Sequence, residues 1–525
     1  MTYKKSLAVL SAAALAFGLA ACGSSSNGGA SDGIVLANGN EPQNPLIPAN
    51  TTETGGGRVV DMIYAGLVYY DTKGKVHNEM AESIKRDGDL KYTITLKPDL
   101  KFSDGSPIKA QNFVKAWNYA VEHDQQGASF FEPIKGYKEG VKEMEGLKVI
   151  DDRTFTVETA VPTSDFELRL GYSSFFPLPD SAFNDMNAQG EKPVSNGPYK
   201  IQSWEHNQSI TIVPNENYKG DRAPKNKGVK FTFYPKQDAA YADLLSGNLD
   251  VLDAVPDSAF ASFQQELDGR GVNQPAAVFQ SFTIPQKLEH FQGEEGKLRR
   301  QAISYAINRE EITDKIFQKT RTPATDFTSP VIDGNSKTVP GNEVLKYDPA
   351  KAKELWAKAD AISPWTGTFT IAYNADVGHQ GWADATANSI KNTLGIEAVG
   401  KPYPDFKSLR DEVKKRTIAG AFRTGWQGDY PGLNNFLSPM YATKASSNDG
   451  DYSNPEVDKL LLEANSAQSV DEANKKYNEA QSILFKDLPA IPLWYSNVTG
   501  GYSKNVENVT FNWKSVPDYY AISKK

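Results

Sequence analysis

Cysteine is almost absent from this chain: it occurs once, at Cys22, in 525 residues. A single thiol cannot form an intrachain disulfide, so the fold must be stable without one. Histidine is also rare, and its five copies are scattered along the chain. Transition-metal sites need several Cys or His ligands close together. We therefore predict no metal site and no cofactor. The five histidines are His77, His123, His206, His290 and His379.

An excess of positive charge is missing as well. The chain has 57 Lys and Arg against 65 Asp and Glu, a net charge of −8. Proteins that bind nucleic acids carry basic patches, so we predict no nucleic acid partner. The sequence also contains no Gly-x-Ser-x-Gly, His-Glu-x-x-His or phosphate-loop pattern. These absences predict a binding protein rather than an enzyme, with no catalytic residues.

Long apolar runs are confined to the N-terminus. Lys4 and Lys5 precede an uncharged run of 16 residues at positions 6–21, which is shorter than the roughly 20 residues of a membrane-spanning helix. A charged start followed by a short apolar segment is typical of an export signal. The run ends in Leu19-Ala20-Ala21-Cys22, which resembles a bacterial lipobox. This resemblance implies a cleaved signal peptide at residues 1–21 and a lipid on Cys22.

The residues that follow the cysteine are small and polar. Residues 22–33 are rich in Gly and Ser, a composition typical of a flexible tether. Acyl chains contribute about 0.8 kcal/mol per buried CH₂, so a multiply acylated cysteine holds a protein firmly on a membrane. We therefore expect a protein that is lipid-anchored on the extracellular face of the cell membrane.

The remaining body, about 490 residues, is longer than the ~250–300 at which a single core stops growing, so at least two domains are expected. Alternating apolar residues predict a strand at 92–96, and helical spacing predicts helices at 298–307 and 382–394. The glycines at 55–57 are expected to precede a helix. Strands that alternate with helices predict an α/β fold with a largely parallel sheet.

One stretch concentrates the chemistry of recognition: Arg423-Thr424-Gly425-Trp426-Gln427-Gly428-Asp429-Tyr430-Pro431. Glycine allows another backbone to approach closely, and Trp426 and Tyr430 offer flat surfaces with polar tips. A shielded Asp429 needs an ammonium group or several N–H donors, and Arg423 can hold a carboxylate with two hydrogen bonds. An extended peptide supplies both charged ends. The alternative interpretation is an ordinary strand and turn whose aromatic residues are core.

Seven motifs stand in order along the chain. They are the lipobox at Cys22, FSDGSPIKAQNFVKAW (Phe102–Trp117), SNGPYKI (Ser195–Ile201), SGNLDVL (Ser246–Leu252), KLRRQAISYAINREEI (Lys297–Ile312), DPAKAKEL (Asp348–Leu355) and RTGWQGDYPG (Arg423–Gly432). Together they resemble the peptide-binding class of extracellular solute-binding lipoproteins that serve ABC transporters (family 5), and the similarity runs from about residue 34 to the C-terminus.

The resemblance implies a two-lobed, periplasmic-binding-protein-like α/β fold of type II (cluster C), with an extra domain inserted in the N-terminal lobe. The expected first lobe comprises residues 34–76, 193–295 and 499–525. The inserted domain is expected at 77–192 and the second lobe at 296–498. The chain is expected to cross between the lobes near residues 292–297 and 496–501. The implied partners are a peptide, the permease subunits of an ABC importer and the membrane, and the protein is expected to be a monomer.

The resemblance also assigns roles to residues of the site. Asp429 occupies the position of the family's acid that meets the peptide's α-ammonium group. Gly425, Trp426 and Gln427 occupy the positions whose backbone pairs with the peptide as an added strand. Glu53, Thr54 and Gly55 lie where a loop of the opposite lobe supplies the other edge.

Three further residues are implied around this core of the site. Arg423 matches a position where some relatives hold the C-terminal carboxylate, and Tyr495 or Trp494 falls near a second pocket wall. Gln427 and Gly428 depart from the family, because relatives often have small residues such as cysteine and alanine here. A side chain as large as Gln427 leaves ligand length and preference open.

Other ligands remain open at this point. Trp365, Trp382, Trp426 and Trp494 have the flat faces that stack on sugar rings, so an oligosaccharide is an alternative to a peptide. His379 keeps a metal chelate or heme open, because such ligands occur among relatives. A sensor of peptides in place of an importer component is a further alternative.

Overall fold

The structure is a computed structural model that describes residues 33–375, 378–404 and 406–525. The expected signal peptide, Cys22 and all of the tether except Gly33 lie outside the described residues. Within the described part of the chain, the helices are all too short or too polar to cross a membrane.

The strands form five sheets within the described residues. Their bounds are β1 (Ile34–Gly39), β2 (Val68–Tyr70), β3 (Val76–Asn78), β4 (Ala81–Asp87), β5 (Lys91–Leu96), β6 (Leu147–Val149), β7 (Thr154–Glu158), β8 (Tyr199–Glu205), β9 (Ser209–Pro214), β10 (Gly228–Phe233), β11 (Val251–Leu252), β12 (Gln274–Thr283), β13 (Arg321–Pro323), β14 (Phe369–Asn374), β15 (Ala398–Tyr403), β16 (Ala421–Gln427), β17 (Ala490–Val498), β18 (Gly501–Tyr502), β19 (Val506–Glu507) and β20 (Ser523–Lys524).

The α-helices cover the faces of these sheets. They are α1 (Thr54–Ile63), α2 (Ala110–Glu122), α3 (Phe166–Arg169), α4 (Met186–Glu191), α5 (Gln237–Ser246), α6 (Phe263–Glu266), α7 (Gly293–Tyr305), α8 (Arg309–Lys315), α9 (Pro349–Ile362), α10 (Gln380–Leu394), α11 (Phe406–Lys414), α12 (Leu433–Tyr441), α13 (Pro455–Asn465) and α14 (Val470–Asp487). The predicted helices near 298–307 and 382–394 are α7 and α10, and Gly395 ends α10 with a φ of 71°.

Two six-stranded sheets define two lobes. The first lobe is built on the sheet ordered β18-β11-β1-β10-β9-β8, and the second lobe on the sheet ordered β13-β17-β12-β16-β14-β15. The four-stranded antiparallel sheet β4-β5-β7-β6, with helices α2 to α4, forms the insert of the first lobe. The insert shares one hydrophobic core with the first lobe, whereas the second lobe has a core of its own. The predicted two-lobed α/β fold is confirmed.

The prediction of a largely parallel sheet is wrong. Parallel pairing is restricted to β1 with β10 and β11, and to β14 with β15 and β16, among the described strands. A parallel pair needs a crossover, and α10 and α11 supply it on both sides of β15. The hairpin β8–β9 and the pairs that β12 makes with β16 and β17 are antiparallel.

The first predicted lobe boundary also needs correction. Strand β12 begins at Gln274 and pairs with β16 and β17, so residues 274–295 belong to the second lobe rather than the first. The chain crosses between the lobes just before this strand, where the amide of Val272 donates to the carbonyl of Gly500 at 2.8 Å. Residues 292–297, the expected crossing, instead start helix α7. The two crossing segments therefore lie side by side, at Gly271–Gln274 and Val498–Gly501.

The glycine run near the N-terminus lies inside a helix, not before it. Helix α1 begins at Thr54 and contains Gly55, Gly56 and Gly57. The carboxylate of Glu53 accepts hydrogen bonds from the amide of Gly56 at 3.0 and 2.9 Å. This side-chain cap satisfies an amide that has no partner within the helix, which is why three weak helix formers can begin one.

Candidate ligand-binding site

A cleft between the lobes opens where β16 ends. A cavity of about 170 Å³ has Glu53 and Thr54 of the first lobe on one side and Gln427 and Asp429 of the second lobe on the other. A larger cavity of about 800 Å³ continues between the insert and the second lobe. Thr52, Tyr172 and Asp429 line both cavities, so the first lobe, the insert and the second lobe meet at Asp429.

The carboxylate of Asp429 is held by one asparagine at the start of α12. Asn435 Nδ2 donates to Asp429 Oδ2 at 2.9 Å. Asn435 Oδ1 accepts from the backbone amide of Asp429 at 2.8 Å and from Trp426 Nε1 at 3.1 Å. Asn435 therefore fixes both the acid and the indole. Sequence reasoning missed this residue, although the pair Asn434-Asn435 stands close after the motif.

Burial dominates the electrostatics of Asp429. It raises the pKa of the carboxyl above its usual value, while the hydrogen bond from Asn435 and the charge of Lys514 act in the opposite direction. A carboxylate that is short of positive charge in this way is ready to accept a cation.

Lys514 is a second residue that the sequence did not single out. It lines the smaller cavity with Asp429, and its Nζ lies 3.8 Å from Asp61 Oδ2. The ammonium group is 5.7 Å from the ring centres of Tyr172 and Trp513. The backbone carbonyl of Trp513 accepts a hydrogen bond from the amide of Ala277 at 2.8 Å. This bond fixes the segment that brings the next residue, Lys514, to the cleft.

Strand β16 has one unpaired edge. It pairs with β12 from Phe422 to Gln427, but on its other side it pairs with β14 only at Ala421 and Phe422. The amide of Gly428 donates to Ala277 of the β12 segment at 2.8 Å. Because backbone groups alternate in direction along a strand, Gly425 and Gln427 direct theirs away from β12. In the described part of the chain no strand covers that side.

The first-lobe residues lie in two different settings. Glu53 and Thr54 line the smaller cavity, but the Glu53 carboxylate is engaged in capping α1. Gly55 does not line either of the two cavities at Asp429, and its Cα approaches Asn40, whose carbonyl would lie 3.1 Å from an added Cβ.

Arg423 lies on the same strand as the unpaired edge but farther from Asp429. At about 3.3 Å per residue, it is roughly 13 Å along the strand from Gln427. Its Nε donates to Asn374 Oδ1, and its guanidinium carbon is 4.8 Å from the ring centre of Phe406. Arg423 therefore stands at the far end of the edge, away from the acid.

Three predicted aromatic residues bond to other groups of the protein, although Tyr430 also lines the larger cavity. Tyr430 is 3% exposed, and its hydroxyl donates to Asp165 of the insert at 2.7 Å. Trp494 and Tyr495 are 0% and 1% exposed, and they bond to Gln280 and Asp326 in the second lobe. The expectation that Trp494 or Tyr495 forms a pocket wall is not met, because strand β17 is covered on both faces.

The family follows from the sequence match. The model of bacterial extracellular solute-binding proteins, family 5 Middle, matches residues 75–448. This chain belongs to that family. The expected fold and family are thereby confirmed.

Relatives of this family 5 protein match along most of their length. The periplasmic oligopeptide-binding protein OppA of Haemophilus influenzae is 28% identical over 479 residues, which cover 88% of this chain and 87% of the relative. The periplasmic murein peptide-binding protein MppA of Escherichia coli is 26% identical and covers 86% of each chain. The solved structure of Haemophilus influenzae OppA in complex with RPPGFSPFR has a TM-score of 0.78 at 24% identity, over 94% of this chain and 99% of that one.

The tryptophan and histidine residues that suggested a sugar, metal chelate or heme ligand are mostly part of the core of this family 5 protein. Trp382 and Trp494 pack edge to face at 5.6 Å, and Trp365 packs on Trp356 at 5.2 Å. His379 Nδ1 accepts from Trp382 Nε1 at 3.0 Å. Among the described residues, no three His, Cys, Asp or Glu side chains are grouped to hold a metal ion.

Proposed function

We propose that this family 5 protein captures peptides between its two lobes and delivers them to an ABC importer. The observation that carries the proposal is the unpaired edge at Gly425 and Gln427, which ends at the half-buried carboxylate of Asp429. A peptide has a backbone that can extend a sheet and an α-ammonium group that matches the acid. The names of the relatives, which include oligopeptide-binding proteins, support the same ligand class.

Each group of the site has a separate task in this proposal. Gly425 and Gln427 pair with the ligand backbone, which is common to all sequences, so the site tolerates different side chains. Asp429 fixes the N-terminus and hence the register. Arg423, at the other end of the edge, exchanges Asn374 for the ligand's C-terminal carboxylate when the peptide is long enough to reach it.

Closure of the cleft follows from the arrangement of the lobes. Glu53 and Thr54 approach the ligand from the first lobe, while Gln427 and Asp429 hold it from the second. A ligand that contacts both lobes favours the closed state by its differential affinity for that state. The two adjacent crossing segments, Gly271–Gln274 and Val498–Gly501, are the expected hinge.

The proposal is tested by identifying what the protein carries. Mass spectrometry of small molecules released on denaturation is expected to find peptides, and calorimetry should show that a recovered peptide binds again. The same peptide with an acetylated N-terminus is the matched control, and we expect it to bind about a hundredfold more weakly because Asp429 loses its cation. Release of sugars or metal chelates, or indifference to peptide mixtures, would contradict the peptide assignment.

We further propose that a lipid on Cys22 holds the mature monomer on the extracellular face of the membrane, beside the permease subunits. A Cys22→Ala variant, expressed with its signal, should move from the membrane fraction to the soluble fraction, because the anchoring thioether can no longer form. Ser24→Ala, two residues away, is the matched control and should remain on the membrane. Retention of the Cys22→Ala protein on membranes would exclude this anchor.

A further inference from the structure

The insert contacts the second lobe at the residues that follow Asp429 in the sequence. Asp165, the residue before α3, is 4% exposed. Its Oδ2 accepts hydrogen bonds from the hydroxyl of Tyr430 at 2.7 Å and from Asn434 Nδ2 at 3.0 Å. Arg169 lies 3.0 Å from Oδ1 and balances the charge of the buried carboxylate. One side chain of the insert thus bonds to two residues of the other lobe.

Tyr430 and Asn434 are the sequence neighbours of Asp429 and Asn435, the bonded pair of the proposed site. Tyr430 follows Asp429, and Asn434 precedes Asn435, whose amide group fixes Asp429 and Trp426. The segment between the two pairs turns from β16 into α12. Asp165 therefore holds both ends of the short segment from Tyr430 to Asn434, each next to a residue of the proposed site.

Further hydrogen bonds join the insert to the second lobe nearby. Ser164 donates from its amide to the carbonyl of Asn465 at 2.7 Å and from its hydroxyl to the carbonyl of Ala464 at 2.9 Å. Gln468 Nε2 donates to Asp89 Oδ1 at 2.8 Å. These contacts hold α3 against the second lobe, within hydrogen-bond distance of Tyr430 for Asp165.

We propose that Asp165 is a positioning residue through which the insert sets the geometry of the ligand-binding loop Trp426–Asn435. Ligand affinity then depends on a contact between the insert and the second lobe as well as on Asp429 and the strand edge that face the peptide. The part of this inference that concerns peptide affinity rests on the proposed function. The part that concerns the loop itself does not.

The chain offers a closely matched pair of variants for the test. Tyr430→Phe removes the hydroxyl that reaches Asp165 and retains the buried ring. Tyr452→Phe is the control, because Tyr452 is also 3% exposed and donates to an aspartate, Asp487, at 2.8 Å. An asparagine, Asn454, shares that aspartate oxygen at 2.8 Å, as Asn434 shares Asp165. All three residues of this second set lie within the second lobe, outside the ligand-binding loop.

Hydrogen exchange is the first measurement, made on the proteins without peptide and again with it, because the contact joins two lobes that the ligand is proposed to hold closed. Local opening raises the exchange rate of amides that a lost contact had protected. We expect amides of the loop at 426–435 to exchange at least about fivefold faster in Tyr430→Phe than in Tyr452→Phe, at similar melting temperatures. Calorimetry with a recovered peptide should then show affinity reduced about tenfold in Tyr430→Phe and by less than about twofold in Tyr452→Phe.

Equal loop exchange in the two variants would overturn the proposal, as would unequal exchange with equal peptide affinity. If Tyr430→Phe does not fold, Asn434→Ala against Asn454→Ala repeats the comparison. A wild-type protein that binds no peptide would contradict the proposed function, while the exchange measurement would still decide whether Asp165 holds the loop.

Discussion

Replacing Asp429 by asparagine is expected to weaken peptide binding about a hundredfold or more. The substitution keeps the size of the side chain but removes the negative charge that attracts the ligand ammonium. Breaking a buried ion pair by removing one partner costs about 3–5 kcal/mol, because the other charge is left without compensation. Entry of water into the cleft lowers that cost only in part. Calorimetry of wild type and variant with one recovered peptide measures the difference.

The pH dependence of binding identifies the group responsible. Burial raises the pKa of Asp429, and the α-ammonium group of a peptide stays charged below about pH 7.7. In the wild type, affinity should therefore fall as the pH is lowered through the raised pKa, since the neutral acid no longer attracts the ammonium. The Asp429→Asn protein should show a flat profile over the same range.

Asp326→Asn is the matched control for this charge removal. Asp326 is a buried carboxylate of the second lobe whose pKa is also raised by burial, but it bonds to Thr328 and Tyr495 rather than lining the cleft. We expect this variant to bind peptide as the wild type does. Two results would show that Asp429 does not bind the ligand ammonium. One is a comparable loss of affinity in both variants. The other is an affinity of Asp429→Asn that still falls at low pH (the acid limb of the profile) as it does in the wild type.

The same raised pKa has a consequence for stability. A carboxyl whose pKa is higher in the folded than in the unfolded protein destabilises the fold once both forms are ionised. This penalty decreases as the pH falls below the folded pKa and is gone below the unfolded pKa. At neutral pH the ligand-free Asp429→Asn protein should accordingly melt no lower than the wild type. This separates loss of binding from loss of folding.

Local patterns were sufficient to predict many elements. The strand at 92–96 and the helices α7 and α10 follow from apolar periodicity, because each buries one face against a neighbour. The position of the proposed site comes from the same kind of pattern, since glycine, aromatic and acidic residues at the end of a strand combine backbone access with charge. Gly425, Gln427 and Asp429 lie within five consecutive residues, so the chain itself brings them together.

Contacts between distant segments could not be predicted in this way. Phe279 of β12 pairs with Trp426 on one side and Tyr495 on the other, and nothing in the pattern of residues 274–283 identifies those partners. The first lobe boundary was misplaced for that reason. Lys514 was missed because the C-terminal segment returns to the cleft through the hydrogen bond between Trp513 and Ala277.

Fully buried strands hide the direction of their side chains. Residues 490–495 of β17 are buried on both faces, so Trp494 and Tyr495 show no alternation that would assign one of them to the cleft. Tyr430 has a similar ambiguity, because its partner Asp165 comes from the insert, 265 residues earlier in the sequence. Aromatic residues near a site are therefore weaker predictors of contact with the ligand than the glycines and the acid.

Asn435 is the residue whose loss should be most damaging after Asp429. Asn435→Ala removes the hydrogen bond to the Asp429 carboxylate together with those from the Asp429 amide and the Trp426 indole. A hydrogen bond to a charged group contributes about 1.5–3 kcal/mol, so we expect peptide affinity to fall by roughly tenfold to a hundredfold. Calorimetry with the same recovered peptide measures this loss.

A positioning role for Asn435 predicts more than a weaker complex. The hydrogen bond from Asn435 lowers the pKa of Asp429, so its removal should raise that pKa further and move the acid limb of the affinity profile to higher pH. Asn196→Ala is the matched control, because Asn196 is 1% exposed and its amide group bonds to the backbone of Ala65 in the first lobe. This control should lose stability, but its peptide affinity should fall at the same low pH as that of the wild type. If the limb stays in place in Asn435→Ala while affinity falls, Asn435 supports the fold of the loop but does not tune its acid.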